Sequence, residues 1–157
     1  MLKTILSLSC VILIIAGCQR SQKGGHIDPW ADYRKAYALL NTNKDSAFYY
    51  YNQSASRSTD KQVVALAYYN MALLQTDGGD YYGAQESLTQ SLRSLDEQKD
   101  ESYLATDYNE LGMTGSRLGN YQQAIHYYQL ALRFDKNNTV KPYALNNLGF
   151  SYKKLKD

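Results

Sequence analysis

The feature that most constrains the fold is an internal repeat in the C-terminal part of the chain. Segment 80–84 (Asp-Tyr-Tyr-Gly-Ala) matches segment 120–124 (Asn-Tyr-Gln-Gln-Ala), and at the same offset upstream segment 70–72 (Asn-Met-Ala) matches segment 110–112 (Glu-Leu-Gly). Downstream of each copy, small and large residues recur in phase. Self-similarity of this kind is typical of proteins built from stacked supersecondary units, so the chain is predicted to form a repeat array.

The best-preserved copy carries Tyr108, Gly112, Ala124, Tyr128 and Ala131 and resembles the tetratricopeptide repeat. In that family each repeat is a pair of antiparallel helices, A and B, with small residues where the helices touch and an aromatic side chain that fills the gap. The resemblance implies an all-α fold, a tetratricopeptide-type α-solenoid of about seven antiparallel helices in three hairpins plus a terminal helix. It also implies a domain that binds other proteins.

The resemblance covers residues 29–157, with repeats at about 30–60, 65–98 and 105–138 and a half repeat at 142–157. The first copy, which places Trp30, Tyr33 and Tyr37 on one helical face, aligns only with a turn one residue longer. The later copies are spaced more widely than the ~34 residues usual in the family. Residues 96–101 are therefore expected to extend helix B of the second repeat or helix A of the third.

The turns inside the second and third repeats carry their own signals. Gly79 and Gly119 allow a tight turn, and Asp80 and Asn120 follow them at the start of helix B. Both side chains are predicted to cap that helix by accepting hydrogen bonds from free amide groups of its first turn.

The first 17 residues have the layout of a signal peptide, with a cation at Lys3 and a short apolar run before small residues. Segment 15–18 (Ile-Ala-Gly-Cys) resembles the lipobox of bacterial lipoproteins, in which the cysteine is acylated and becomes the new N-terminus. The resemblance implies cleavage before Cys18, lipidation of that residue and a polar tether over 18–28. A plain secretory signal with an incidental Cys18 is the alternative.

A lipid on Cys18 implies anchoring in the cell envelope. Gln19 is not the aspartate that commonly retains lipoproteins at the inner membrane, so the outer membrane is favoured, on either its periplasmic or its surface side. After removal of Lys3 the protein has 16 basic and 15 acidic residues. This near-neutral balance gives no indication of nucleic-acid binding.

A seventh helix is expected over roughly residues 141–155, where Leu145, Leu148 and Tyr152 would cover the third repeat. Phe150 and Leu155 would then lack a covering helix. Two interpretations stay open: a complete protein whose last helix caps the array or forms a homodimer, or the N-terminal piece of a longer chain.

In the tetratricopeptide family the concave groove is lined by helix A positions that face away from helix B. Carried over by alignment, these are Leu66, Tyr69, Leu73 and Asp77 in repeat two, Asn109, Met113, Ser116 and Arg117 in repeat three, and Tyr143, Asn146, Phe150, Lys153 and Lys154 in the last helix. Aromatic patches, amides and cations together suit an extended peptide with a negative end. Most of the 16 tyrosines are expected to serve in packing instead.

Enzyme signatures are absent from the sequence, which has no phosphate-binding glycine motif and no HExxH motif. His26 and His126 are the only histidines and are expected to be solvated, and acidic residues are expected on solvent faces. No catalytic residue, metal or cofactor is therefore predicted.

The leading hypothesis is a membrane-anchored interaction module that binds a protein or peptide partner in the envelope. The alternatives are the N-terminal sensor part of a longer signalling or transcription-regulating protein and a glycan-binding lipoprotein, for which tyrosine faces would suit sugar rings.

Overall fold

The computed structural model describes residues 28–156, and this range forms α-helices without any strand. The helices are α1 (Ala31–Leu39), α2 (Lys44–Arg57), α3 (Lys61–Asp77), α4 (Tyr81–Ser94), α5 (Glu101–Arg117), α6 (Tyr121–Phe134) and α7 (Lys141–Lys154). In this range no helix combines the length and the apolar character that crossing a membrane requires. The predicted signal peptide, Cys18 and nearly all of the tether lie outside the described residues.

Each helix packs against the next along the chain, so the helices form three hairpins followed by α7. Connections this short make the two helices of a hairpin antiparallel. We call α1, α3, α5 and α7 the A helices and α2, α4 and α6 the B helices. The α1–α2 connection spans four residues, 40–43, against three in 78–80 and 118–120, which confirms the longer turn predicted for the first copy. The predicted all-α solenoid is confirmed.

The turns before α4 and α6 confirm the role of the glycines. Gly79 and Gly119 have φ values of 81° and 78°, a left-handed conformation that other residues rarely adopt. Asp80 caps α4, because its Oδ1 accepts a hydrogen bond of 2.9 Å from the Gly83 N–H. Asn120 occupies the same position before α6 but makes no such side-chain bond, so the prediction of a second cap was wrong.

From α3 onwards the repeat period is regular, since α3, α5 and α7 begin at Lys61, Glu101 and Lys141. The extra residues between the second and third repeats lie in the connection 95–100, where the Asp96 N–H donates to Asp100 Oδ2 at 2.8 Å. Only Glu101 of segment 96–101 is helical. The expectation that this segment would extend a helix was therefore wrong for residues 96–100.

The core follows the rule of small residues opposite large ones. The large residues Tyr51, Leu88 and Tyr128 on the B helices are fully buried, and each packs in a cluster with buried alanines. The alanines are Ala36, Ala47, Ala55 and Ala67 around Tyr51, Ala72 and Ala84 around Leu88, and Ala105, Ala124, Ala131 and Ala144 around Tyr128. This packing fixes the position of each A helix relative to its B helix.

The last helix presents a different face from the one expected. Ala144 and Ser151 are the buried residues of α7, and Leu148 is half-buried against the core. Leu145 and Tyr152, predicted to cover the third repeat, are 48% and 45% exposed. The packed face is thus rotated by about one residue, because the helix approaches α5 and α6 through small side chains.

Candidate binding groove

Two pockets open between neighbouring A helices. The α3–α5 pocket has a volume of about 190 Å³ and is lined by Ala65, Leu66, Tyr69, Ser91, Ser102, Tyr103, Thr106 and Asp107. The α5–α7 pocket has a volume of about 400 Å³ and is lined by Met113, Ser116, Arg117, Tyr121, Tyr128, Asn147 and Phe150. The first pocket lies at the N-terminal end of α5 and the second at its C-terminal end.

The pockets bring together six of the thirteen groove residues predicted from the sequence. Leu66 and Tyr69 line the α3–α5 pocket, and Met113, Ser116, Arg117 and Phe150 line the α5–α7 pocket. Five others are exposed outside the pockets: Asp77, Tyr143, Asn146, Lys153 and Lys154. Leu73 is half-buried, and Asn109 is only 8% exposed. Asp77 forms an ion pair with Lys44.

The α5–α7 pocket is organised by Ser116. Its Oγ lies 3.0 Å from Ser151 Oγ on α7 and 3.3 Å from the Tyr128 hydroxyl on α6, so one side chain links three helices. At the mouth, Phe150 is 50% exposed, and Lys154 Nζ lies 5.9 Å from the centroid of its ring. The pocket therefore offers an aromatic surface with cations beside it.

The α3–α5 pocket has a polar bridge between its two helices. Gln62 Nε2 donates to the Tyr103 hydroxyl at 3.1 Å and thereby connects the first turns of α3 and α5. Ser91 of α4 donates to the Ala65 carbonyl at 2.9 Å.

Two carboxyl groups lie away from solvent beside this pocket, Asp107 buried and Glu110 half-buried, which contradicts the expectation that acidic residues lie on solvent faces. Asp107 is 2% exposed, and burial raises its pKa to about 7; a hydrogen bond from Ser91 opposes this increase and the Glu110 carboxylate adds to it. Burial also raises the pKa of Glu110, against a hydrogen bond from Asn109. Asp107 could have been suspected from the sequence, because Tyr103 and Leu111, four residues to either side, provide no cation.

Tyr69 stands close to both acids. Burial raises the pKa of Tyr69, and the charges of Glu110 and Asp107 raise it further. Its hydroxyl therefore stays protonated at neutral pH and remains a neutral group that can donate a hydrogen bond.

The N-terminal hairpin carries a third surface, which is aromatic. Trp30, Tyr33, Arg34 and Tyr37 line an open depression of about 450 Å³. The rings of Trp30 and Tyr33 meet edge to face at 5.4 Å, and Tyr37 is 64% exposed. The three aromatic residues predicted to share one helical face are thus brought together.

Within residues 28–156, no group of three or more His, Cys, Asp or Glu side chains is arranged to hold a metal ion. His126 is exposed on α6, as expected from the sequence. The chemistry available in the two pockets is that of hydrogen bonding, ion pairing and aromatic contact.

In a comparison with known protein families, residues 63–137 match the tetratricopeptide repeat. That segment contains α4, α5 and α6 and almost all of α3, and hence every residue that lines the α3–α5 pocket. No curated protein matches the chain. Tetratricopeptide repeats generally mediate protein–protein interactions, and their all-helical fold is typically a non-enzymatic interaction module.

Proposed function

We propose that this chain is a membrane-anchored scaffold or assembly factor that holds an extended segment of an envelope protein along its A helices. The supporting observation is the pair of pockets at opposite ends of α5. Asp107 and Ser116, one in each pocket, are nine residues apart in this helix. At 1.5 Å per residue this is about 14 Å, which roughly four extended residues span.

Charge supports a peptide with a negative end at the α5–α7 pocket. Arg117, Lys153 and Lys154 are exposed at the C-terminal ends of α5 and α7. Cations at such positions bind carboxylates through charge-assisted hydrogen bonds, and their preference for the helix C-terminus keeps them there.

Capture of partners from an envelope extract tests this function. The double variant Arg117→Ala/Phe150→Ala removes a cation and an aromatic ring from the α5–α7 pocket. The matched control Arg93→Ala/Tyr82→Ala also removes one arginine and one aromatic ring, from the exposed face of α4. We expect the groove variant to lose at least ten-fold in partner recovery and the control to retain it. Equal recovery by both would overturn the proposal.

The anchor is proposed to be the lipid on Cys18, in the outer membrane. The support is the lipobox-like segment 15–18, and two or more acyl chains suffice for stable anchoring. Labelled palmitate should enter the wild-type protein and not Cys18→Ser, which should leave the membrane fraction. Retention of Cys18→Ser in the membrane fraction would contradict the lipid anchor.

The last helix is proposed to support a homodimer. Leu145 and Tyr152 of α7, and Leu155 just after it, are each nearly half exposed. Light scattering should then give a dimer mass for the mature protein and a monomer mass for Leu145→Glu. A monomer mass for both would exclude the dimer.

A second candidate function is glycan binding by the aromatic depression on α1, which is favoured by the exposure of Tyr37 beside Trp30. Planar aromatic rings offer an apolar surface with a polar tip, which suits sugar rings. A glycan array probed with wild-type protein and with Trp30→Ala tests this function. If no glycan bound in a way that depends on Trp30, glycan binding by this depression would be excluded.

A further inference from the structure

The side chain of Asp107 combines deep burial with an open pocket in front of it. The residue is 2% exposed and lines the α3–α5 pocket, and its Oδ2 has no hydrogen-bond partner among residues 28–156. A buried carboxylate without a paired cation is strongly unfavourable, and the Ser91 hydroxyl, which also donates to the Ala65 carbonyl, compensates only part of its charge. It therefore either takes up a proton or requires a cation close by.

The described part of the chain does not supply that cation. The four ion pairs in residues 28–156 join Arg34 to Asp28, Lys44 to Asp77, Arg57 to Asp32 and Lys136 to Glu101. Glu110, which lies one turn beyond Asp107 on α5, adds a second carboxyl group whose Oε2 is likewise unpartnered within that range. Residues three apart on a helix are neighbours, so the two negative groups reinforce each other.

The walls of the pocket suit a long side chain that ends in a cation. Leu66, Tyr69 and Tyr103 provide apolar and aromatic surface, against which the methylene stem of lysine or arginine packs well. Aromatic rings also attract cations. The volume of about 190 Å³ is far above the ~10 to 15 Å³ that one water molecule needs.

We propose that the α3–α5 pocket binds a lysine or arginine side chain of the partner segment, with Asp107 as its counter-ion and Glu110 as a second negative charge. An acidic side chain would be repelled, and a neutral one would leave both carboxyl groups uncompensated. The inference rests on the proposed function, because the ligand is the segment held along the A helices. Together with the cations beside the α5–α7 pocket, this site would orient the segment. Its basic residue would lie in the α3–α5 pocket and its acidic end, about four residues away, at the α5–α7 pocket.

Host pentapeptides of the form acetyl-Ala-Ala-X-Ala-Ala-amide are the probe, with X as lysine, arginine, norleucine or glutamate. Titration of the mature protein, followed by NMR shifts of the Ser91 and Asp107 amides, gives Kd for each. We expect the lysine and arginine peptides to bind at least ten-fold more tightly than the norleucine peptide, and the glutamate peptide to bind least. Equal binding of lysine and norleucine peptides, or no binding by any of them up to millimolar concentration, would overturn the inference.

Asp107→Asn keeps the shape of the side chain and removes its charge. We expect the preference for lysine over norleucine to fall to within about two-fold in this variant, and Glu110→Gln to weaken it less. Glu86→Gln, which removes one carboxylate from the exposed face of α4, is the matched control and should keep the full preference. Thermal melting of each variant checks the fold. Survival of the preference in both Asp107→Asn and Glu110→Gln would contradict the role of these acids.

The two proposals fail separately. If the Arg117→Ala/Phe150→Ala variant loses its partner but the peptides show no preference for a cation, the pocket assignment is wrong and the groove function stands. If the peptides show the preference but partner capture is unaffected by the groove variant, the proposed function is wrong and the cation pocket stands.

Discussion

The ring of Tyr128 lies so close to Gly112 that a Cβ atom on the glycine would be 2.5 Å from Cε1 and 2.6 Å from Cδ1 of the ring. Tyr128 is 1% exposed and fills the gap between α5 and α6. In the preceding repeat the corresponding pair is Ala72 and Leu88, which share one core cluster. The larger ring thus stands opposite the smaller residue, and each pair is matched in size.

Replacement of Gly112 by alanine is expected to destabilise the protein. Alanine at an interior helical position is usually more favourable than glycine by about 1 kcal/mol. Here the added methyl group overpacks the core, so we expect a loss of about 1 to 3 kcal/mol in the free energy of unfolding, measured with urea. Gly149 on α7 is the matched control, because an added Cβ would meet no atom of a neighbouring element within 4 Å. Gly149→Ala should stabilise by about 0.5 to 1 kcal/mol.

Size matching also predicts that the pair is energetically coupled. In Gly112→Ala/Tyr128→Leu the third repeat acquires the alanine and leucine of the second. We expect the double variant to be at least about 1 kcal/mol more stable than the sum of the two single effects implies. Additive effects would mean that the ring and the glycine do not constrain each other.

The two helix starts should respond differently to loss of their polar residue. Asp80→Ala removes the hydrogen bond to the Gly83 N–H and should destabilise by about 1 kcal/mol. Asn120→Ala removes no such bond, so we expect its free energy of unfolding, measured by chemical denaturation, to fall by less than about 0.5 kcal/mol. Similar losses in both variants would show that Asn120 caps α6 in solution.

Asp107 predicts an unusual dependence of stability on pH. The titratable groups that act on it are Glu110 on its own helix and Tyr69 on α3, while Ser91 faces it from α4. Its folded pKa of about 7 exceeds the ordinary value of 3.8, so the folded state binds the proton more tightly. Its contribution to stability is therefore complete below pH 4, declines as the pH rises towards 7 and is constant above that.

Asp107→Asn removes this decline. We expect the variant to match the wild type near pH 4 and to exceed it above pH 7 by up to about 4 kcal/mol, since a ten-fold change in proton affinity corresponds to ~1.4 kcal/mol. Urea denaturation at a series of pH values measures the difference. A difference that stays the same from pH 4 to pH 8 would place the carboxylate in a solvated or paired environment.

Asp135 predicts the opposite trend. Its carboxylate accepts hydrogen bonds from the backbone N–H groups of Thr139, Val140 and Lys141, at 2.9, 2.9 and 2.6 Å, just before and at the start of α7. Burial opposes ionisation, but bonds from Thr139, Lys141 and Val140 outweigh it and lower the pKa of Asp135. Its contribution is therefore present at neutral pH and is lost as the pH falls through the lowered pKa.

Asp135→Asn should destabilise the protein by about 1 to 3 kcal/mol at pH 7, because an amide accepts less strongly than a carboxylate. Hydrogen exchange of the α7 amides should accelerate most, since the lost bonds hold this helix. If the variant accelerated exchange more in α2 than in α7, the result would contradict the role of Asp135 in holding the start of α7.

Much of the fold could be predicted because the same local residue pattern recurs in successive repeats. The recurrence around Ala84 and Ala124 located the hairpins, and Gly79 and Gly119 located two turns whose φ values require glycine. The longer first turn followed from alignment alone. Each of these features depends on residues close together in sequence.

Features that depend on how helices approach one another were not predictable to the same degree. Successive residues on a helix differ by 100° in direction, so a one-residue error moved the packed face of α7 from Leu145 and Tyr152 to Ala144 and Ser151. Burial of Asp107 depends on the distance between α3 and α5. No periodic pattern encodes that distance. The sequence therefore did not predict that Asp107 lines the α3–α5 pocket, although it did predict Leu66 and Tyr69 as groove residues.

The acidic residues Asp107 and Glu110 at the α3–α5 pocket have a consequence for where along the array a long ligand binds. An array of equal hairpins offers the same surface at every step, so an extended chain could slip along it by one repeat and bind equally well. Asp107 has no counterpart in the preceding repeat, where the same offset gives Ala67, and Glu110 corresponds to the neutral Asn70. The array therefore possesses one distinguishable position, which would fix the register of the bound chain as well as its direction.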